Sequence, residues 1–395
     1  MAMYKRDISA SALTAAFVAT MVGYAGPLLI IFQAAELAGL NHAQLSSWIW
    51  AISLGCGITS FFLSMYYRVP VLTAWSTPGA VLLVSGWAQY SYSEAIGAFF
   101  ISAVIITILG ITGIFEKLMN RIPMAIISAM LAGVLLQFGL DVFVSIGSFP
   151  ALVVPMILVY VLTKRWLPRY AVILTLLVGI SFAAGFGRFH LHDVTVSPVH
   201  PVFTMPTFSL DALIGLALPL CIVTMTAQNA TGIGVLRASG YNTPASPLIS
   251  VTGIASLLLA PFGSHGLNIA AITAAICTGE EAHPDKNKRY IAGMAAGVLY
   301  VLYGFGGATI TSFFSAFPRE LILVIGGLAL LPSISSSLAQ AMEGSQKESA
   351  LITFLVTASG VTAFGIGSAF WGLLAGICVH TVWSKRLYAP MKKVV

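Results

Sequence analysis

One segment of the chain reads Tyr67-Arg68-Val69-Pro70-Val71-Leu72-Thr73-Ala74-Trp75-Ser76-Thr77-Pro78-Gly79-Ala80. Its two prolines are eight residues apart with β-branched residues between them, and this pattern favours extended backbone from Val69 to about Ala74. Thr77 can then cap a new helix whose first position is Pro78. The segment therefore predicts a half-helix that begins inside an apolar region. The alternative is an ordinary helix that the prolines only kink.

A second polar-interrupted segment reads Gly263-Ser264-His265-Gly266-Leu267-Asn268-Ile269-Ala270-Ala271-Ile272-Thr273-Ala274-Ala275-Ile276. Glycines flank Ser264 and His265, Asn268 is a plausible helix cap, and the apolar remainder is too short to cross a bilayer. Two half-helices of opposite direction would bring their N-termini together near the membrane midplane. Each N-terminus carries unpaired N–H groups and about half a positive charge, so the pair would attract an anion without a basic side chain.

The composition is that of a membrane protein. Over 395 residues, 58% are hydrophobic, 8% are charged and the mean hydropathy is +0.94, whereas a soluble domain has roughly a quarter charged residues. The net charge of +6 is spread singly between apolar runs, which excludes a nucleic-acid-binding face. Four separated cysteines, Cys56, Cys221, Cys277 and Cys378, indicate buried thiols rather than a zinc site or disulfides.

Apolar runs of about 20 residues predict helical crossings, since only helices or closed barrels satisfy their backbone in lipid. Fourteen are predicted, near 8–32, 43–64, 71–86, 93–115, 122–140, 149–163, 170–187, 210–230, 246–262, 266–279, 290–312, 319–341, 349–364 and 366–384. The run from Ile8 to Phe32 is too long for a signal-peptide core and predicts an uncleaved first crossing. With both termini cytoplasmic, only Arg188 and Arg319 of the 19 Lys and Arg residues fall outside, as the positive-inside rule requires.

The long outer loop near residues 188–207 divides the chain into seven crossings and seven crossings. A faint repeat supports this division, because Val18-Ala19-Thr20-Met21 before Tyr24 resembles Val223-Thr224-Met225 before Gln228. An odd number of crossings in each unit places the second unit upside down, which is the inverted-repeat architecture of many secondary transporters. The predicted fold class is therefore an all-α polytopic membrane protein with 7+7 inverted repeats.

Three parts of the sequence resemble the BenE family of benzoate:proton symporters: the segment 67–80, Gln228-Asn229-Ala230, and Glu281-Ala282-His283-Pro284-Asp285-Lys286. The resemblance implies uptake of benzoate, or a similar aromatic carboxylate, with a proton. It also implies distant kinship with nucleobase and sulfate-type anion transporters, with a core domain, a gate domain, and short strands before the third and tenth helices. The implied division is 1–118 (core), 119–187 (gate), 188–209 (extracytoplasmic linker), 210–313 (core) and 314–395 (gate).

Candidate substrate-binding residues follow from the repeat, the two broken segments and the resemblance. In nucleobase relatives the eighth segment carries a carboxylate, whereas Gln228 is a neutral amide that can donate to an anion without repelling it. Intramembrane amides also serve as contacts between helices, and this alternative stays open for Gln228 and its neighbour. The candidates are Tyr24, Trp75, Ser76, Thr77, Thr226, Gln228, Asn229 and Asn268. Packing remains open for Tyr24, as does interfacial anchoring for Trp75.

Proton coupling is harder to place, because no Asp or Glu lies deep in a predicted crossing, where a relay acid is usual. Glu36 and His265 are the titratable groups nearest the proposed cavity, and a histidine hydrogen-bonded to backbone is the alternative for His265. The run from Glu280 to Lys286 is interpreted as a capped, solvated loop rather than a metal site. No metal or cofactor is predicted.

These patterns predict a secondary active transporter in a bacterial-type inner membrane, working by alternating access on benzoate, with protons and lipids as its other partners and a homodimer as a possible assembly. The alternatives are another small organic anion or a nucleobase as substrate, and an anion channel. An enzyme is not expected, since no paired acids, Ser/His arrangement or metal cluster lies at membrane depth.

Overall fold

The computed structural model describes residues 7–25, 27–87, 90–167, 170–188, 199–315, 317–343, 346–361, 363 and 368–387. The helices of the first half are α1 (Ala10–Ala25), α2 (Pro27–Leu37), α3 (His42–Tyr67), α4 (Thr77–Gly86), α5 (Tyr92–Thr112), α6 (Ile114–Met119), α7 (Met124–Ser148), α8 (Pro150–Trp166) and α9 (Ala171–Gly185). Those of the second half are α10 (Leu210–Ala238), α11 (Ala245–Leu259), α12 (Ile272–Thr278), α13 (Tyr290–Ser315), α14 (Arg319–Ala341), α15 (Lys347–Ala358) and α16 (Ser368–Leu387). The strands are β1 (Thr73–Trp75) and β2 (Leu267–Ile269).

Six helices of the described chain are long and apolar enough to cross a membrane: α3, α5, α7, α10, α14, and α11 with the turn that extends it to Phe262. Shorter apolar helices lie at Ala10–Tyr24, Ala171–Gly185 and Ser368–Trp383. A polytopic helical membrane protein is thus confirmed, and the number fourteen stays a prediction. The first predicted crossing, 8–32, is covered by α1 to Ala25 and by the start of α2 from Pro27, and Gly26 between them lies outside the described residues.

The two broken segments form a two-stranded antiparallel ribbon. Thr73 pairs with Ile269, Ala74 with Asn268, and Trp75 with Leu267. Helix α3 ends before the ribbon because Arg68 takes a left-handed conformation (φ 51°) at its C-cap. Since helices α4 and α12 follow opposite ends of an antiparallel ribbon, they leave it in opposite directions.

Both predicted helix caps are wrong. Ser76, not Thr77, caps α4, because the Ser76 hydroxyl accepts the Gly79 N–H at 3.1 Å and Thr77 is already the first helical residue. Asn268 lies within β2, and α12 begins only at Ile272, with no side-chain cap at Ala271. The half-helix of the second half thus begins later in the chain than the predicted cap at Asn268 implied.

Polar side chains complete the outer edges of the ribbon. An unpaired backbone N–H in an apolar interior is costly, so a two-stranded ribbon needs partners beyond its own ladder. The Ser60 hydroxyl accepts the Thr73 N–H at 2.9 Å, and the Ser256 hydroxyl accepts the Leu267 N–H at 2.8 Å. The Asn229 side-chain oxygen accepts the Ile269 N–H at 2.9 Å. Helices α3, α11 and α10 thereby hold the ribbon in place.

The helices pack in two groups. In the first, α13 packs on α3 and α1, and α11 packs on α5. In the second, α7 packs on α14 and α15, α15 on α16, and α8 on α9. The groups meet mainly where α10 contacts α7 and where α14 contacts α1 and α12. Cys56, Cys221 and Cys277 are buried as predicted, whereas Cys378 on α16 is exposed.

Candidate functional site

The ribbon and the start of α4 are fixed by His265. The Trp48 indole N–H donates to His265 Nδ1 at 3.0 Å, and His265 Nε2 lies 3.0 Å from the Ser76 carbonyl oxygen. Because Nδ1 must accept, the proton of the neutral ring is on Nε2, which donates to Ser76. The ring is 1% exposed and both nitrogens have partners. This geometry favours a structural role for His265 over the predicted proton-carrying role.

Four aromatic rings gather on one face of the ribbon. Tyr24 makes an edge contact with Trp75, with ring centroids 4.9 Å apart, and stacks on Tyr300 at 5.8 Å. Tyr303 contacts Tyr24 at 5.1 Å and donates to or accepts from the Thr20 hydroxyl at 3.1 Å. The Tyr24 hydroxyl is hydrogen-bonded to Ser53 of α3. We call the set Tyr24, Trp75, Tyr300 and Tyr303 the aromatic cluster.

Buried polar atoms without a hydrogen-bond partner lie at this cluster. They are Trp75 Nε1, Thr273 Oγ1 and Tyr300 OH. Tyr300 and Thr273 approach one another over Gly23, since a methyl group on Gly23 would lie 2.8 Å from Tyr300 OH and 3.1 Å from Thr273 Cγ2. Buried donors are normally satisfied, and a carboxylate is an acceptor that could satisfy the three donors of this cluster.

Asn268 lies on the other face of the ribbon. Cross-strand partners point to the same face and neighbours along a strand alternate, so Asn268 and its partner Ala74 face away from Trp75 and Leu267. Both atoms of the Asn268 amide are buried without a hydrogen bond. The two predicted site residues Trp75 and Asn268 therefore cannot contact a small ligand from one face of the ribbon.

The predicted residues of α10 play different parts. Asn229 uses its oxygen for the ribbon edge, and its Nδ2 lies 3.2 Å from Met225 Sδ, so the amide is already occupied. The Thr226 hydroxyl donates to the Ile222 carbonyl oxygen of its own helix at 2.7 Å. Gln228 is half-buried, and within the described residues its side chain makes no hydrogen bond. Of these three side chains, that of Gln228 is the one whose polar group is not already used within the described residues.

The remaining predicted residues are placed as follows. The Ser76 hydroxyl accepts hydrogen bonds from Gly79 and from Thr224 Oγ1, the latter at 3.0 Å, and Thr77 is half-buried at the start of α4. Glu36 is exposed near the end of α2. The interpretation of the run 280–286 as solvated is wrong for Glu281, which is 5% exposed. No group of three potential metal ligands occurs among the described residues.

Three residues of this site escaped prediction: Thr273, Tyr300 and Tyr303. Thr273 follows the second ribbon strand, where the sequence marked Asn268 instead. Tyr300 and Tyr303 come from α13, far in sequence from the first broken segment, and their only signal is that they interrupt the apolar middle of that helix. A tyrosine hydroxyl in an apolar crossing needs a partner, which makes such a pair worth inspection.

A polar cavity of about 710 Å³ lies between the two helix groups. Helix α14 contributes Ser335, Ser337 and Gln340 to its wall, and α8 contributes Tyr160 and Lys164. The opposite wall includes Ala275 and Thr278 of α12 and the buried Arg289. The cavity thus reaches the C-terminal end of α12, whose N-terminal end adjoins the aromatic cluster through Thr273. We call it the polar cavity.

Apolar helices around a buried two-stranded ribbon define this chain as a polytopic membrane protein. It belongs to the BenE family, described as benzoate membrane transport protein, whose sequence model matches residues 6–382. It is accordingly a membrane transport protein and not an enzyme.

Two relatives match nearly the whole chain. Inner membrane protein YdcO of Escherichia coli (strain K12) is 47% identical over 371 residues, which cover 94% of this chain and 95% of the relative. The Benzoate membrane transport protein of Acinetobacter baylyi (strain ATCC 33305 / BD413 / ADP1) is 42% identical over 382 residues, covering 96% and 97%.

Solved structures share the fold at low sequence identity. The structure titled "The overall structure of SLC26A9" is 13% identical with a TM-score of 0.50, and the match covers 95% of this chain and 65% of that one. The inward-facing structure of murine Solute Carrier 26 family member A9, an anion transporter, is 13% identical with a TM-score of 0.51, covering 95% and 68%. At this identity the likeness concerns the fold alone.

Proposed function

We propose that this protein is a secondary active transporter of the inner membrane, which imports benzoate or a similar aromatic carboxylate together with a proton by alternating access. The family description and the name of the Acinetobacter relative support the substrate, and the name of the Escherichia relative supports the location. The proposal includes fourteen crossings in two inverted repeats, with both termini cytoplasmic.

The observation that carries the proposal is the group of unsatisfied donors beside the aromatic cluster. A carboxylate can accept hydrogen bonds from Trp75 Nε1, Thr273 Oγ1 and Tyr300 OH, all of which lack a protein acceptor. The phenyl ring of the substrate would pack against Tyr24 and its neighbouring rings, as aromatic pairs do at centroid distances of about 4.5–7 Å. One site then recognises both ends of an aromatic acid.

The charge of the substrate is stabilised by the backbone. The N-terminus of α4 adjoins Trp75, and a helix start contributes about half a positive charge. The carboxylate can therefore be held without Lys or Arg. Within the described ribbon and the cluster beside it, no charged residue is present. Gln228, half-buried on α10, would meet the substrate as it enters or leaves the site.

Alternating access requires two bodies that move against one another. In this proposal the first helix group belongs to the core, 1–118 with 210–313, and the second to the gate, 119–187 with 314–395. The polar cavity lies between them at the Lys164 and Arg289 end, which the positive-inside rule assigns to the cytoplasm. It would serve as the release path in the arrangement seen here.

Uptake of labelled benzoate into proteoliposomes, with and without an inward proton gradient, tests the proposal. We expect the gradient to stimulate benzoate uptake. Unlabelled aromatic acids should inhibit this uptake more strongly than uracil or sulfate does. Equal uptake with and without the gradient would contradict the proposed coupling to protons. Competition by uracil rather than by aromatic acids would assign the site to a nucleobase.

A further inference from the structure

Glu281 is the one buried carboxylate among the described residues, at 5% exposure. It lies three residues beyond the end of α12, and its Oε1 forms an ion pair with Lys164 Nζ. The Tyr160 hydroxyl also donates to Oε1, at 3.3 Å. Both partners belong to α8. A buried carboxylate is costly without its cation, so the position of Glu281 depends on its contact with α8.

Within the part of the chain that the structure describes, Lys164 is the one residue that forms an ion pair with Glu281. A small cavity beside it is lined by Ser11, Thr14 and Ala15 of α1, Val172 and Ile173 of α9, Ala329 of α14 and Ile276 of α12. All of these side chains are uncharged. Lys164 of α8 is therefore the cation that meets the carboxylate from a packed helix.

The charged groups of its own loop are directed elsewhere. Glu280 is exposed, and Asp285 caps the following turn through the Asn287 N–H at 2.9 Å. The His283 ring nitrogen Nδ1 accepts the Asp285 N–H at 2.9 Å. Arg289 donates to the carbonyl oxygens of Thr278 and His283, each at 2.7 Å. The charge of Glu281 is thus balanced across the boundary between the helix groups rather than within its loop.

The ion pair has access to water. Lys164 and Tyr160 both line the polar cavity, and the Lys164 side chain is 37% exposed. A proton arriving from the cavity can reach the carboxylate along the same side chains. Protonation removes the charge–charge attraction while Lys164 keeps its own proton and turns to the water of the cavity.

We propose that Glu281 is a proton-binding site of the transport cycle, at which the ionised carboxylate holds α8 of the gate against the core and the protonated carboxyl group releases it. The inference rests on the proposed core and gate and on proton-coupled transport. Loss of the proton to the polar cavity then favours the arrangement seen here, in which the cavity is open. Because Lys164 is partly exposed, the contact shifts the balance between arrangements severalfold rather than locking one of them.

The test uses Glu281→Gln, which mimics the protonated group, with Glu348→Gln as the control, because Glu348 is an exposed carboxylate at the start of α15 outside the polar cavity. Proteoliposomes report two rates: benzoate uptake with an inward proton gradient relative to uptake without one, and benzoate exchange without any gradient. We expect Glu281→Gln to exchange benzoate but to lose stimulation by the gradient. Glu348→Gln should behave as the wild type does in both assays.

A second variant guards against misfolding of the first. Lys164→Met removes the cation from a partly exposed position, and the buried carboxylate left without a partner should take up a proton, so gradient stimulation should again be lost. If either variant keeps the stimulation of the wild type, Glu281 is not the proton-binding site. A wild-type protein that exchanges benzoate without any stimulation would instead overturn the proton-coupled transport on which the inference rests.

Discussion

Replacing His265 by phenylalanine should destabilise the protein through lost hydrogen bonds alone. The change removes both ring nitrogens but keeps a ring to pack against Trp48 and Phe99, whose centroids lie 5.4 and 6.3 Å away. It leaves the buried Trp48 N–H without an acceptor and removes one donor from the Ser76 carbonyl oxygen.

The two losses differ in size. An orphaned buried donor costs about 1–3 kcal/mol, and this is the expected cost at Trp48, whose side chain is fully buried. The Ser76 carbonyl oxygen still accepts the Ala80 N–H at 2.8 Å. Losing the hydrogen bond from His265 should therefore cost only about 0.5–1.5 kcal/mol. The free energy of unfolding should therefore fall by about 1.5–4.5 kcal/mol in total.

Reversible SDS unfolding of the purified protein measures this difference. His265→Asn is the matched control, because its side-chain oxygen can still accept from Trp48 and should recover part of the loss. Trp48→Phe should lower the free energy of unfolding less in the His265→Phe protein than in the wild type, because the Trp48 N–H has already lost its acceptor there. A His265→Phe protein of wild-type stability that has lost only its proton-gradient stimulation would refute the structural role and restore His265 as proton carrier.

Three further predictions concern the substrate site and the ribbon. Tyr300→Phe should weaken benzoate binding about tenfold, because it removes a hydrogen bond to a charged group. Tyr303→Phe should leave the affinity unchanged, because the Tyr303 hydroxyl already pairs with Thr20. Equilibrium binding in detergent compares the two variants, and equal affinities would exclude Tyr300 from the binding site. Gln228→Glu should slow benzoate uptake by like-charge repulsion, and unchanged uptake by a folded variant would place Gln228 off the substrate path. Asn229→Leu should lower the free energy of unfolding by about 1–3 kcal/mol, because the ribbon edge loses its acceptor; unaltered SDS unfolding would contradict this.

The first strand of the ribbon could be predicted from sequence because its signals are local. Pro70 and Pro78 prevent a continuous helix, and the resemblance adds short strands in both broken segments. The cap of α4 was missed by one residue, since Ser76 and Thr77 are equally good N-cap types and only the backbone conformation distinguishes them.

The candidate site could be predicted only in part, because it depends on register and on distant helices. Trp75 and Asn268 both lie within the broken segments, yet the pairing of Trp75 with Leu267 puts their side chains on opposite faces of the ribbon. A shift of the pairing by one residue would have put them on the same face. Tyr300 comes from α13, and nothing in the sequence indicates that its hydroxyl lies next to Gly23. The burial of Glu281 could not be predicted, because its partner Lys164 lies 117 residues earlier in the chain.

The position of bound benzoate, determined by electron cryomicroscopy of the protein with the ligand, tests the central claim most directly. We expect the carboxylate within hydrogen-bonding distance of Trp75 Nε1, Thr273 Oγ1 or Tyr300 OH, with the phenyl ring against Tyr24. Density confined to the polar cavity, with those three groups still unpaired, would contradict the claim.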